Sequence, residues 1–201
     1  MNQENLIFID FETTGLDPLN ERIIQIAAIK INEENEEVFT TYVNPEKNIS
    51  EFITSLTGID NKIVSNSPNE KDALKMLVDF IPNEAVIVAQ NAPFDLSFLF
   101  HGSERANLEI NSPSFYCTRT MSAVLFPNLS HKLGDIIELF DIKLENAHDA
   151  LSDVTATKEL FFKLKHIADL HNINFINKLL IDRPLNFEPK NTIKITSSRR
   201  K

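Results

Sequence analysis

Two carboxylates spaced two residues apart, Asp10 and Glu12, follow the apolar run Leu6-Ile7-Phe8-Ile9. On a strand that spacing puts both on one face, so two acids emerge side by side where Asp is normally disfavoured. The run is apolar at consecutive positions, as in a strand covered on both sides, and the C-terminal end of such a strand is where open α/β sheets place ligands. On its own the pair fits either a metal site or exposed acids at a fraying edge. Asp95 falls in the first turn of the helix expected after Ala85-Val86-Ile87-Val88-Ala89, where an acid also suits the positive end of the helix dipole. Asp153 heads a stripe of Ala156, Thr157, Leu160 and Leu164 whose spacing marks one helical face. A carboxylate facing a core must be paired or bind metal. His148 stands five positions earlier, ~140° away on a continuous helix. With His148 in a loop and Asp149 as the helix cap, the ring is free to turn back toward Asp153. In isolation such a histidine reads as a surface residue. His101, His131, His166 and His171 have no acidic constellation and read as structural.

Four acids gathered without compensation would repel, and each would become easier to protonate. Hard divalent cations resolve this, because Mg²⁺ prefers carboxylates, water and phosphate oxygens. Two such ions ~4 Å apart can clamp the attacking and leaving oxygens of a phosphodiester. A histidine, with an unperturbed pKa of ~6.5, suits removal of a proton from the attacking water.

The elements that must position these groups follow from the apolar pattern. Strands are predicted over Leu6–Ile9, Ile23–Ile31 and Val38–Val43, joined by turns at Thr13-Thr14-Gly15 and at Glu33-Glu34-Asn35-Glu36-Glu37, which makes a β-meander. Residues 50 to 81 read as helical, most clearly from Glu70 to Ile81. A buried strand over Ala85–Ala89 feeds a helix opened by Asn91-Ala92-Pro93, where the missing N–H of proline costs nothing. A short strand near Phe115–Cys117 and helices over Ser130–Phe140 and Ala150–Lys165 complete a mixed α/β pattern.

Composition sets the frame. The chain of 201 residues is 42% apolar, with 15 Phe and no Trp, enough for one core without staples. The single cysteine, Cys117, excludes an intramolecular disulfide and a multi-cysteine zinc site. Four scattered glycines exclude the glycine-built phosphate loops. No membrane span or signal peptide is evident, so a cytoplasmic protein without a membrane partner is expected. The net charge of −9 argues against an extended basic groove on duplex DNA, but not against a site whose cations supply the positive charge.

Three ordered stretches carry a resemblance. Asp10-Phe11-Glu12-Thr13-Thr14-Gly15 resembles the first motif of the DnaQ-like, DEDDh 3′–5′ exonucleases of the ribonuclease H-like superfamily. Val88-Ala89-Gln90-Asn91-Ala92-Pro93-Phe94-Asp95 is similar to the second, and His148-Asp149-Ala150-Leu151-Ser152-Asp153 to the third. The resemblance covers about residues 5 to 165. It implies an α/β fold with a ribonuclease H-like mixed five-stranded sheet flanked by helices. It also implies two Mg²⁺ or Mn²⁺ ions held by Asp10, Glu12, Asp95 and Asp153, with His148 as general base, and release of nucleoside 5′-monophosphates from a 3′ end. By the same resemblance Thr13, Thr14 and Gly15 contact the terminal nucleotide. Leu56-Thr57-Gly58-Ile59 offers Leu56 and Ile59 as a wedge against terminal bases, with ordinary helix–turn packing as the equal alternative. Asn91 and Phe94 shape the second motif. Two positions depart from the family pattern: Gln90 stands where many relatives have His, and Phe11 separates the two acids.

The expectation is therefore an exonuclease domain over residues 1–165, followed over 166–201 by a helical extension with a basic, flexible tail. The expected substrate is single-stranded or frayed DNA, in proofreading or repair. An RNA-trimming exoribonuclease is the alternative enzyme. A binding subunit that docks to a DNA polymerase through the C-terminal segment is the alternative of a different class.

Overall fold

Ile, Phe and Val at the start of the chain build the predicted meander, as β1 (Asn5–Thr13), β2 (Ile23–Ile31) and β3 (Glu36–Tyr42). The computed structural model describes residues 5–32, 35–182 and 187–196; Glu33 and Glu34 of the hairpin, and the basic end Arg199, Arg200 and Lys201, lie outside the described residues. β1 is longer than its apolar run because Asp10 and Glu12 stay paired to β2, opposite Ala27 and Gln25.

The stretch predicted as helical between 50 and 81 is three pieces: α1 (Glu51–Thr57), α2 (Asn61–Val64) and α3 (Glu70–Phe80). Gly58 ends α1 in a left-handed conformation, φ 74°, which a side chain would resist, and Asp60 caps α2 by accepting the Lys62 and Ile63 amides. β4 (Ala85–Ala89) turns into α4 (Ala92–Ala106), with Pro93 in the first turn as predicted. β5 (Ser114–Cys117) runs directly into α5 (Thr118–Leu125), a helix the sequence pattern does not announce: Cys117 occupies its cap position and no side chain bonds its first amides. The helix expected over 130–140 is only α6 (Leu133–Glu138), whereas α7 (Ala150–Leu170) continues past Lys165.

Strand order is β3-β2-β1-β4-β5, with β1 parallel to β4 and β4 to β5, and β2 antiparallel to both its neighbours. This is the mixed five-stranded sheet flanked by helices. One face packs Ile7, Ile9 and Phe11 against Leu74, Leu77, Leu96 and Phe98 of α3 and α4. The other packs Phe8 and Val88 against Val154, Leu160 and Phe161 of α7, with the Phe8 and Phe161 rings edge-on at 5.5 Å. Among the described residues no helix is long and apolar enough to cross a membrane.

The expected boundary at 165/166 does not separate two packed units, and the expected helical extension stops at Leu170. Past α7, Phe175 joins the core under α7 and Leu179 joins the core on the opposite face. Asn177 donates its N–H to the Phe115 carbonyl at 2.8 Å and accepts the Phe115 N–H at 2.9 Å, covering the edge of β5. β6 (Lys178–Leu180) and β7 (Ile193–Ile195) then form a small parallel pair. The physical reason is composition: Ile173, Phe175, Ile176, Leu179 and Leu180 are too apolar to be left in water.

Pairing opens the place where the acids sit. β1 pairs with β4 only as far as Phe8 opposite Val88; beyond that, β4 bends away into α4. Asp10 and Glu12 therefore border a gap at the C-terminal end of β1, flanked by the first turns of α4 and α7.

Candidate active site

Asp10 and Glu12 share the β1 face that bears Phe8, whereas Phe11 is buried on the other side, as the alternation of a strand requires. Asp95 comes from the first turn of α4 and is 3% exposed. Asp153 comes from the first turn of α7, whose cap is Asp149, its side chain accepting the Ser152 amide at 3.0 Å. His148 lies just before that cap with φ 64°, a left-handed backbone unusual outside glycine, and donates its N–H to Asp153 Oδ2 at 3.2 Å. Turning the chain in this way brings ligand atoms of Glu12, His148 and Asp153 within 4.8 Å of one another. Asp10 and Asp95 are close enough to act on the same charges.

Electrostatics confirm the crowding. Burial first, then Asp95, Asp153, Glu12 and Asp149, push the Asp10 carboxyl well above the usual carboxylate range. Burial, with Asp153, Asp95 and Asp149, raises Glu12 to about 8. Burial raises Asp95 to about 8 against hydrogen bonds from the backbone at Asp95 and Phe11. Asp153, raised chiefly by burial and eased by the His148 backbone, stands at about 6. Asp153 Oδ1 is buried and has no hydrogen-bond partner. Hard oxygen donors, one imidazole, an orphaned carboxylate oxygen and an excess of negative charge fit a divalent cation.

This makes stability pH-dependent with a definite sign. The folded chain holds protons on these acids that the unfolded chain has already lost, so the metal-free protein loses stability as pH rises from ordinary carboxylate values toward about 8. A divalent cation bound by these acids would displace those protons, and its stabilisation would grow over the same range. Calorimetric melting at about pH 5 and about pH 8, with EDTA or Mn²⁺, is expected to show a larger Mn²⁺ shift at the higher pH. Equal shifts at both would contradict the assignment.

The surrounding residues divide. The Thr13 hydroxyl donates to the Gly15 carbonyl at 2.6 Å; the Thr14 hydroxyl donates to Glu21 and accepts the Arg22 amide at 3.0 Å. Both hydroxyls thus hold the loop around Gly15. Leu56 is 42% exposed. For Ile59 the packing alternative holds and the wedge does not: at 3% exposed it is buried with Ile24, Ile49, Ile53 and Val64, so it packs α1 and α2. Asn91 stands at the cap position of α4, and Phe94 packs on Phe98 at 5.0 Å. Gln90 accepts the Thr118 hydroxyl and donates to the His131 carbonyl at 3.1 Å, tying the end of β4 to α5 and to the loop before α6. Sequence reasoning missed Gln25, a 4% exposed amide on β2 directly opposite Glu12. Its only signal is one polar side chain within the apolar stretch Ile23 to Ile29.

A family model described as Exonuclease matches residues 7–161. DNA polymerase III PolC-type of Caldanaerobacter subterraneus subsp. tengcongensis is 37% identical over 182 residues, covering 88% of this chain and 13% of that protein. The PolC-type polymerase of Streptococcus suis is 35% identical over 182 residues, covering 89% and 12%. This chain thus spans only a small part of the length of these relatives. Among solved structures, E. coli exonuclease I in complex with a dT13 oligonucleotide gives a TM-score of 0.74 at 23% identity, covering 85% of this chain and 43% of that one. Exonuclease X in complex with 5′ overhanging duplex DNA gives 0.63 at 22%, covering 82% and 93%. These likenesses bear out the fold. With residues 7–161, most of this chain, matched by the family model, the chain belongs to the Exonuclease family, as a DnaQ-like, DEDDh-type member of the ribonuclease H-like superfamily.

Proposed function

We propose that this protein is a metal-dependent 3′–5′ exonuclease that hydrolyses the terminal phosphodiester of single-stranded or frayed DNA and releases nucleoside 5′-monophosphates. The observation that carries this reading is the convergence of Glu12, His148 and Asp153 within 4.8 Å, beside Asp10 and Asp95, in a chain of this family. DNA is chosen over RNA because the relatives are named DNA polymerases and the similar structures hold DNA.

Asp10, Glu12, Asp95 and Asp153 would hold two Mg²⁺ or Mn²⁺ ions, which would supply positive charge to the reacting oxygens and would acidify the attacking water. His148 accepts that water's proton: it is exposed at the rim of the cleft, and its backbone bond to Asp153 fixes where the ring starts. The loop held by Thr13 and Thr14 presents its backbone around Gly15 to the terminal nucleotide, and the exposed Leu56 offers apolar surface to its base. A replicative polymerase is the partner this reading favours, on the strength of the PolC-type relatives. A cytoplasmic setting is part of the same reading, in keeping with the lone buried thiol of Cys117.

His148→Ala is expected to lower kcat by ~10² to 10⁴, the worth of a positioned base, with the melting temperature unchanged. Degradation of 3′-labelled and 5′-labelled DNA and RNA oligonucleotides, with Mn²⁺ or EDTA, reads polarity, sugar preference and metal dependence together. Full turnover by the variant at neutral pH would remove the base from His148, and release of label from 5′ ends would overturn the polarity.

A further inference from the structure

Gln25 is enclosed among apolar neighbours on β2, and both ends of its carboxamide are used. Nε2 donates to Asp149 Oδ2 at 3.0 Å, and Oε1 accepts the Ala150 amide at 3.1 Å. The other oxygen of Asp149, Oδ1, accepts the Ser152 amide at 3.0 Å. One buried amide therefore grips the cap and the first free N–H of α7, the helix that carries Asp153 and begins directly after His148. Gln25 is also the cross-strand partner of Glu12. A single residue thus links the strand pair that bears Asp10 and Glu12 to the helix start that bears Asp153 and follows His148.

We propose that Gln25 is a positioning residue: its carboxamide fixes Asp149 and the first turn of α7, and so sets where His148 and Asp153 stand against Glu12. The proposal rests on the exonuclease reading given above. Two alternative explanations of Gln25 are weaker. As mere filling of apolar space, a leucine would serve without burying an amide. As a simple cap, Asp149 already serves the Ser152 amide without it.

The hydrogen-bond polarity gives a test by exchange. Gln25→Glu sets a carboxylate against Asp149 where a donor stood. Asp149→Asn sets two donors face to face or gives up the Ser152 amide. Combined, the two substitutions restore all three bonds at the same formal charge, with donor and acceptor reversed only in the bond between residues 25 and 149. Each single variant is expected to lower kcat on a labelled oligothymidylate by about 10- to 100-fold and to weaken Mn²⁺ binding in calorimetry by about 10-fold, the usual cost of disturbing groups behind a metal site. KM stays within about two-fold, and the double variant recovers both kcat and Mn²⁺ affinity to within about three-fold of the parent. A double variant no better than the worse single, or single variants that lose kcat only as far as they lose folded fraction in thermal melts, would overturn the proposal. If the parent protein degrades no oligonucleotide, the exonuclease reading falls, and the Mn²⁺ affinities of the four proteins still decide whether Gln25 positions the acids.

Discussion

Asp10→Asn is expected to abolish turnover while making the metal-free protein harder to melt. Both halves have one cause. Burial and the charges of Asp95, Asp153, Glu12 and Asp149 oppose ionisation of Asp10, so at about pH 8 the folded state carries a strained acid that the unfolded chain carries freely. An amide of the same shape removes that conflict. The gain is about 0.5–2 kcal/mol, the range usual for a single stabilising substitution, or roughly 1–8 °C in a chain of this size. The amide keeps an oxygen but not the charge a divalent cation needs, so turnover falls by more than about 10³-fold. Melting in EDTA at about pH 8 and degradation of a labelled oligonucleotide measure the two effects. The exposed Asp17 supplies the contrast. Hydrogen bonds from Asn20 and the Leu19 amide hold its carboxyl below the usual value, so Asp17→Asn gains no stability. An Asp10→Asn protein that melts lower without metal, or that turns over within ten-fold of the parent, would show that Asp10 is a structural acid.

What the sequence discloses about this site is its local part. The period of two that pairs Asp10 with Glu12 needs only a strand. The cap that lets His148 turn needs only Asp149 before an apolar helical stripe. Both are properties of a few neighbouring residues, and both match the geometry. The parts that escaped depend on distant packing or on a start without a marker. Gln25 is one polar residue in an apolar run, and its partners lie more than a hundred positions away. α5 begins at the residue after β5 ends, without a capping side chain, so nothing in the order of residue types separates strand from helix there. Ile59 follows a glycine turn in a stretch that reads equally as a substrate-facing wedge or as helix–turn packing, and only the distant Ile24 and Ile49 decide for packing. The end of the chain escaped because Pro and Lys in the last twenty residues suggest a tail, while Phe175 and Leu179 just before them are tied into the core by Asn177 at the sheet edge.

The packing of residues past Lys165 gives the second large expectation. The chain cut after Lys165 is expected to have no cooperative melting transition, whereas the chain cut after Asp182 melts cooperatively and keeps its turnover. The first cut removes Ala168, Phe175, Leu179 and Leu180, all of them buried. Truncating a buried Phe or Leu to Ala already costs about 2–5 kcal/mol, so losing three such side chains rivals the whole stability of a domain, about 5–15 kcal/mol. It also strips the edge of β5, where Phe115 exchanges hydrogen bonds with Asn177, and leaves the buried Thr120 hydroxyl without the Leu180 amide. The second cut keeps all of these and gives up mainly the stacking of Phe187 on Phe100 at 5.5 Å and the pairing of β7 with β6, which lowers the melting temperature without dividing the core. Circular dichroism melts of the two shortened chains read the difference directly. A sharp transition in the chain ending at Lys165 would show that residues 166–182 are an appendage after all. The distinction bears on the polymerase partner as well, because loss of binding on cutting at Lys165 would report an unfolded domain, whereas loss on cutting at Asp182 would locate a docking segment beyond it.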